Sequence, residues 1–230
     1  MTKPQPTHQL ALGGLVPFTT IDFPGRLAAV LFCQGCPWRC SYCHNQHLQP
    51  RSACAPNNAL QWPQVLAWLA SRQGLIDGVV FSGGEPLLQK CLPDAIAEVR
   101  SMGFATALHT AGIYPKRLAA VLPLLDWVGF DVKAPFDAYA PIVGCNGGPA
   151  ARESLQLLLA SGVDYDIRCT VPPELDAAAQ QRLQAEVLAL GGKPPIWQTC
   201  RLPEVPREPE TSVIQWHKPA KTPLAASPAV

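Results

Sequence analysis

The chain has 230 residues, enough for one domain with a sizeable core that buries roughly three quarters of the surface its unfolded form exposes. Its 18 Lys and Arg balance 17 Asp and Glu, a formal charge of +1, which excludes a global field drawing it to nucleic acid or an anionic membrane. No apolar run approaches the ~18 residues of a membrane span, the N-terminus lacks the continuous apolar stretch of a secretory signal, and a cytoplasmic location is expected. Nine cysteines, an odd count with four between positions 33 and 43, suit metal binding in a reducing compartment better than a disulfide framework.

In chain order, short apolar, β-branched or aromatic runs over residues 27–33, 78–81, 104–109, 127–132, 163–170 and 195–199 read as buried strands. Between them, apolar residues at helical spacing predict helices over 60–71, 88–102, 115–124, 150–161 and 176–190. Regular alternation with short connections requires parallel strands and right-handed crossovers, in a doubly wound sheet or an α/β barrel. Six units are too few for a closed eight-unit barrel, so an open, partial parallel α/β barrel of about six strand-helix units is expected. Such a barrel gathers the loops at the C-terminal strand ends into one site, and the chemically unusual residues fall there. Residues 44–59 form a polar loop, and residues 203–230 carry six prolines with few apolar anchors. This predicts a barrel domain over 1–202 and a flexible tail over 203–230.

Cys36, Cys40 and Cys43 follow the first predicted strand on a single loop. A four-iron cluster normally takes four cysteines, so three from one loop leave one iron open to a substrate or cofactor. Cys33 adds a fourth thiol, and a zinc site using Cys33, Cys36, Cys40 and Cys43, or Cys40, Cys43, His44 and His47, is the alternative. Only three residues separate Cys36 from Cys40, against the long connector of the usual zinc ribbon.

Gly83-Gly84-Glu85-Pro86 follows the second strand. Its glycines remove side chains that would hold a ligand off the backbone, and Pro86 suits the start of the next helix. Taken alone, the pair equally fits a plain tight turn. His109-Thr110-Ala111-Gly112 and Asp131-Val132-Lys133 end later strands, and Arg168 lies on the fifth. Lys133 offers a cation to a carboxylate, which Asp131 orients unless it binds a cation itself. By themselves these residues also fit a solvated strand end.

The spacing of Cys36, Cys40 and Cys43, with Tyr42 before the last, followed by Gly83 to Pro86, resembles the radical S-adenosylmethionine superfamily. The resemblance implies that Cys36, Cys40 and Cys43 ligate three irons of one 4Fe-4S cluster while the amino and carboxylate groups of S-adenosylmethionine chelate the fourth, leaving Cys33 spare. It further implies cofactor contacts from Tyr42, Cys43, His44, Gly83, Gly84, Glu85, Thr110, Asp131, Lys133 and Arg168. No catalytic side chain is expected beyond the cluster and bound cofactor, because the cofactor carries the difficult chemistry.

From Gly13 to about Arg201 the chain is similar to activating proteins of glycyl radical enzymes, in particular those of anaerobic ribonucleoside-triphosphate reductase. The markers are Ile21-Asp22-Phe23-Pro24-Gly25, Tyr42-Cys43-His44-Asn45, Asp131-Val132-Lys133, and Tyr165-Asp166-Ile167-Arg168 leading into Val171-Pro172. The likeness implies reductive cleavage of S-adenosylmethionine to methionine and a 5′-deoxyadenosyl radical, which takes hydrogen from a glycine of the partner enzyme. It also implies a one-electron donor such as flavodoxin or ferredoxin. Many such activators have Asp where His109 stands and Asn where Ala111 stands, so cation binding or a polar contact at that strand end is expected to differ. Cys54, Cys91, Cys145, Cys169 and Cys200 are scattered, which excludes an added two-cluster domain. Activation of pyruvate formate-lyase, radical chemistry on a small molecule, and a non-enzymatic zinc or iron-sulfur scaffold are the competing readings.

Overall fold

The computed structural model describes residues 10–50 and 60–200. Six strands run parallel and side by side in chain order: β2 (Ala28–Cys33), β3 (Gly78–Gly83), β4 (Ala105–Thr110), β5 (Trp127–Asp131), β6 (Asp164–Val171) and β7 (Ile196–Thr199). A further strand, β1 (Leu12–Thr19), lies antiparallel on the outer edge of β2. The crossovers carry α1 (Trp62–Ala70), α2 (Leu92–Ser101), α3 (Pro115–Val121), α5 (Gly148–Ser161) and α6 (Ala177–Ala189), with a single turn, α4 (Ala140–Val143), after β5. When every right-handed crossover advances by one strand in the same direction, the helices share one face of the sheet, and the sheet curls as in a barrel. Here β1 and β7 stay at opposite edges, so the barrel is open, as expected from the sequence. Among the described residues no helix is long and apolar enough to cross a membrane.

Because side chains alternate along a strand, each strand feeds two cores. Ala29, Leu31, Val79, Phe81, Leu108, Val128, Phe130 and Ile167 face the helices and pack with Val65, Leu69, Ile96, Val99, Leu118, Leu155, Leu158 and Val187. All are essentially buried, and each large apolar side chain contributes about 1.5–3 kcal/mol by leaving water. The intervening residues Ala28, Val30, Val80, Ala107 and Trp127 form a smaller core on the other face with Phe23. Phe23 comes from the segment joining β1 to β2, and its ring stacks 6.1 Å from that of Trp127. A side chain at Gly78 would put its Cβ 2.9 Å from the Phe23 ring, so glycine there makes room for this plug.

The structure departs from the sequence expectation in three places. β1 lay outside the predicted strands because Gly13, Gly14 and Pro17 depress strand propensity and two register shifts break its alternation. Its edge position tolerates Pro17. Pro86 opens a 3-10 turn (Pro86–Leu88), and α2 begins only at Leu92 with Pro93 in its first turn. α4 is too short to show a helical period. Cys54 and the Pro-rich tail over 203–230 lie outside the described residues.

Candidate active site

A cavity of about 230 Å³ opens at the C-terminal ends of β2 to β6. Cys36, Cys40, Tyr42, Cys43, His44, Gly83, Gly84, Glu85, Thr110, Asp131, Lys133 and Arg168 all line it, so the residues singled out from the sequence come together in space.

Backbone contacts hold the cysteine loop. Gly35 N–H donates to Leu48 O at 2.7 Å and Cys36 N–H to Gln49 O at 3.1 Å, while Gln34 Nε2 donates to His47 O and Pro50 O. On the other side Arg39 N–H and Ser41 N–H donate to Val143 O and Ile142 O of α4, and the Trp38 ring meets Tyr139 edge-on at 5.7 Å. Among the described residues these backbone contacts hold the loop from both sides without a bond between one cysteine and another. Burial pushes Cys36 up to about 12, despite a backbone N–H from Trp38, and also raises Cys40, against the pull of Lys133. Both are protonated at neutral pH until a cation displaces the proton. Cys33 faces the helices, fully buried with Ala29 and Leu31, and does not line the cavity. Among the described residues no three His, Cys, Asp or Glu side chains gather closely enough to share one metal ion.

The two glycines after β3 answer to the cysteine loop itself. Gly83 has φ +114, and a Cβ there would lie 2.4 Å from Cys33 N; one on Gly84 would lie 2.4 Å from Gly35 O. Their absence lets Gly84 N–H reach Cys33 O at 2.9 Å and Glu85 N–H reach Gly35 O at 2.9 Å. The two loops are thus zipped together by backbone. The Glu85 side chain turns inward, where Oε1 accepts from Leu87 N–H (3.1 Å) and Thr110 Oγ1 (2.7 Å) and Oε2 accepts from Ala111 N–H (3.1 Å). Burial pushes its carboxyl up to about 7 in spite of these donors. Glu85 and Thr110 consequently brace the ends of β3 and β4 against each other.

Opposite the cysteines sits a charged group. Asp131 Oδ1 takes Arg168 Nε at 3.0 Å and Nη2 at 2.9 Å, and Oδ2 takes Lys133 Nζ at 3.2 Å. Burial alone would raise the Asp131 carboxyl; Arg168 and Lys133 override it and hold it well below the carboxylate range. Burial likewise opposes the Lys133 charge, and Asp131 more than offsets it, keeping the ammonium protonated. Lys133 Nζ also lies 5.7 Å above the Tyr42 ring. The Tyr42 hydroxyl is buried with no hydrogen-bond partner among the described residues, an orphaned donor on a side chain only 5% exposed.

His109 completes the wall. Its Nε2 donates to Asp22 O at 2.9 Å, and its Nδ1 stands 3.4 Å from Ser82 Oγ. Burial first and Arg168 second lower its pKa to about 4, so the ring is neutral. Gly129 makes this possible, since a Cβ there would lie 2.9 Å from both the His109 ring and the Arg168 guanidinium. With His109 neutral, Lys133 and Arg168 outweigh Asp131 by one positive charge, suiting this side of the cavity to a carboxylate-bearing ligand. Ser82 and Thr170, not singled out from the sequence, also line it. Ser82 lies two residues after inward-facing Val80 and Thr170 two after Arg168, so strand alternation is the signal that finds them.

The sequence profile described as "Radical SAM superfamily" matches residues 30–183 of this chain. A protein of Methanocaldococcus jannaschii, named as a glycyl-radical enzyme activating enzyme, is 33% identical over 142 residues, covering 58% of this chain and 55% of its own. The pyruvate formate-lyase-activating enzyme of Clostridium pasteurianum is 34% identical over 174 residues, covering 73% and 69% respectively. The chain thus spans only about half to two thirds of the length of these relatives. Among solved structures, anSMEcpe with bound AdoMet superposes with a TM-score of 0.60 at 16% identity, over 78% of this chain and 52% of that one. SuiB of Streptococcus suis bound to precursor peptide gives 0.60 at 10% identity, over 75% and 38%. At such identities these two speak for the fold alone. Profile, homologues and a cavity walled by three cysteines on the loop after β2 agree, and the chain belongs to the radical SAM superfamily, as a homologue of the glycyl-radical enzyme activating enzymes.

Proposed function

We propose that this chain activates a glycyl radical enzyme, with anaerobic ribonucleoside-triphosphate reductase as its target. The observation that carries the reading is the single cavity in which Cys36, Cys40 and Cys43 form one wall and Lys133, Arg168 and Asp131 the other. The residues fit one 4Fe-4S cluster and S-adenosylmethionine: three thiols from one loop, a net positive wall for the methionyl carboxylate, and the orphaned Tyr42 hydroxyl. When bound, these groups supply an electron and a cleavable sulfur–C5′ bond, whose products are methionine and a carbon radical that takes hydrogen from a partner's glycine.

The chain's own work is binding, orientation and exclusion of water. Lys133, desolvated and protonated, holds the carboxylate; Asp131 fixes Lys133 and Arg168 in place. Neutral His109, tied to Asp22, keeps a second positive charge from accumulating beside Arg168. A second reading, activation of pyruvate formate-lyase, is favoured by the Clostridium relative of that name.

The test is anaerobic reconstitution with iron and sulfide, addition of S-adenosylmethionine and a strong reductant, and chromatography for 5′-deoxyadenosine. Cys36→Ala, Cys40→Ala and Cys43→Ala are each expected to abolish product, and Cys33→Ala to leave it largely intact. Loss of both product and iron in the Cys33 variant would overturn the ligand assignment. Mixing with either candidate enzyme and recording electron paramagnetic resonance then decides the target by which of them gives a glycyl radical.

A further inference from the structure

We propose that an acidic one-electron carrier protein docks on the groove between α2 and α3, rimmed by Lys90, Lys116 and Arg117. This rests on the proposed function, which requires an electron from outside the chain. The groove encloses about 230 Å³ above an apolar floor that includes Leu87, Leu92, Pro93 and Val121. Lys90 and Lys116 are exposed, and neither forms an ion pair among the described residues. Arg117 is fixed at the rim: Nη1 donates to Leu87 O at 2.8 Å and Leu88 O at 2.5 Å, and the guanidinium lies 4.5 Å above the Tyr114 ring.

Among the described residues no carboxylate lines the groove. Glu153 borders an adjoining depression and Asp94 stands exposed in the first turn of α2, outside the lining. In a chain whose formal charge is only +1, three cations around an apolar floor form a local field that selects a partner with a complementary acidic rim.

The position of the groove suits electron entry. Its wall is the Leu87 to Gln89 turn, directly after the Gly83–Glu85 stretch that is zipped to the cysteine loop. Gln89 Nε2 donates to Gln34 O at 3.1 Å, and Gln34 lies two residues before Cys36. Among the described residues none lines both the groove and the cavity, so a carrier seated here leaves the cavity to S-adenosylmethionine and the partner's glycine. In the transfer a flavin hydroquinone on the carrier loses one electron to become the semiquinone, and the cluster gains that electron.

The experiment uses the reconstituted protein and a flavodoxin. Calorimetry gives the affinity for oxidised flavodoxin, and 5′-deoxyadenosine formation is followed with either reduced flavodoxin or dithionite. A double Lys90→Glu and Lys116→Glu variant is expected to lose affinity about tenfold at low salt, with the difference shrinking as salt screens it. Its dithionite-driven rate is expected to match the unmodified protein. Arg152→Glu combined with Arg182→Glu makes the same charge change elsewhere and is expected to bind normally. Equal weakening in both variants, or in neither, overturns the groove. So does self-association abolished by the groove variant alone, which would assign this face to a second copy of the chain. Failure of the unmodified protein to form 5′-deoxyadenosine with dithionite strikes the radical reading instead, and the affinity comparison still decides the groove.

Discussion

Buried Glu85 and half-buried His109 are two titratable groups with opposite effects on stability. The native Glu85 carboxyl takes a proton near pH 7 and the unfolded one near 4.5, so its contribution is present at low pH and is lost as pH rises through that window. The native His109 ring refuses a proton until about pH 4 while the unfolded ring accepts one near 6.5, so its contribution is lost as pH falls. The two slopes oppose each other over nearly the same range. Urea titrations from pH 4.5 to 7 should therefore show Glu85→Gln gaining stability with pH, and His109→Gln losing it. Identical profiles in the two variants would mean that neither group titrates as its burial implies. Glu85→Ala leaves the Leu87 and Ala111 amides and the Thr110 hydroxyl without their acceptor, and is expected to cost about 3 kcal/mol in the same assay.

Among the elements, the loops after β2 and β3 act as one unit. The missing Cβ of Gly84 is what lets the Glu85 amide reach Gly35, one residue before Cys36. Gly84→Ala is expected to push the cysteine loop outward, lowering iron content after reconstitution well below one cluster per chain while leaving the far-ultraviolet circular dichroism unchanged. Full iron loading would show that the loops move independently. The same contact explains a limit of the sequence reading. A Gly-Gly pair beside a cysteine motif was legible as a close backbone approach, but the partner of that approach is the neighbouring loop, known only once β2 and β3 pair in register from Ala28–Gly78 to Cys33–Gly83.

At the scale of the whole molecule, an open barrel leaves its inner face without the opposing strands that would fill a closed one. Phe23 takes their place, 3% exposed against Trp127 and Gly78, and the Asp22 carbonyl of the same segment reaches His109 in the cavity wall. Phe23→Ala removes most of this floor and is expected to lower stability by about 3–5 kcal/mol. Because the segment also orients His109, the variant's affinity for S-adenosylmethionine should fall with it. A stability loss with unchanged affinity would separate the floor from the site.

Six parallel strands, the partial barrel and the cysteine motif could be read from residue order alone, because alternation, helical spacing and loop position are local properties. The gathering of Lys133, Asp131 and Arg168 opposite Cys36 was expected from their places at successive strand ends, which a parallel sheet must bring to one side. Tertiary structure decided the rest. It turned Glu85 inward as a brace, put Cys33 on the helix side of β2, added β1 at an edge that tolerates its proline and glycines, and filled the open interior with Phe23. Each depends on which surfaces meet across the sheet. Contacts between segments far apart in the chain leave no period or spacing in the sequence to read.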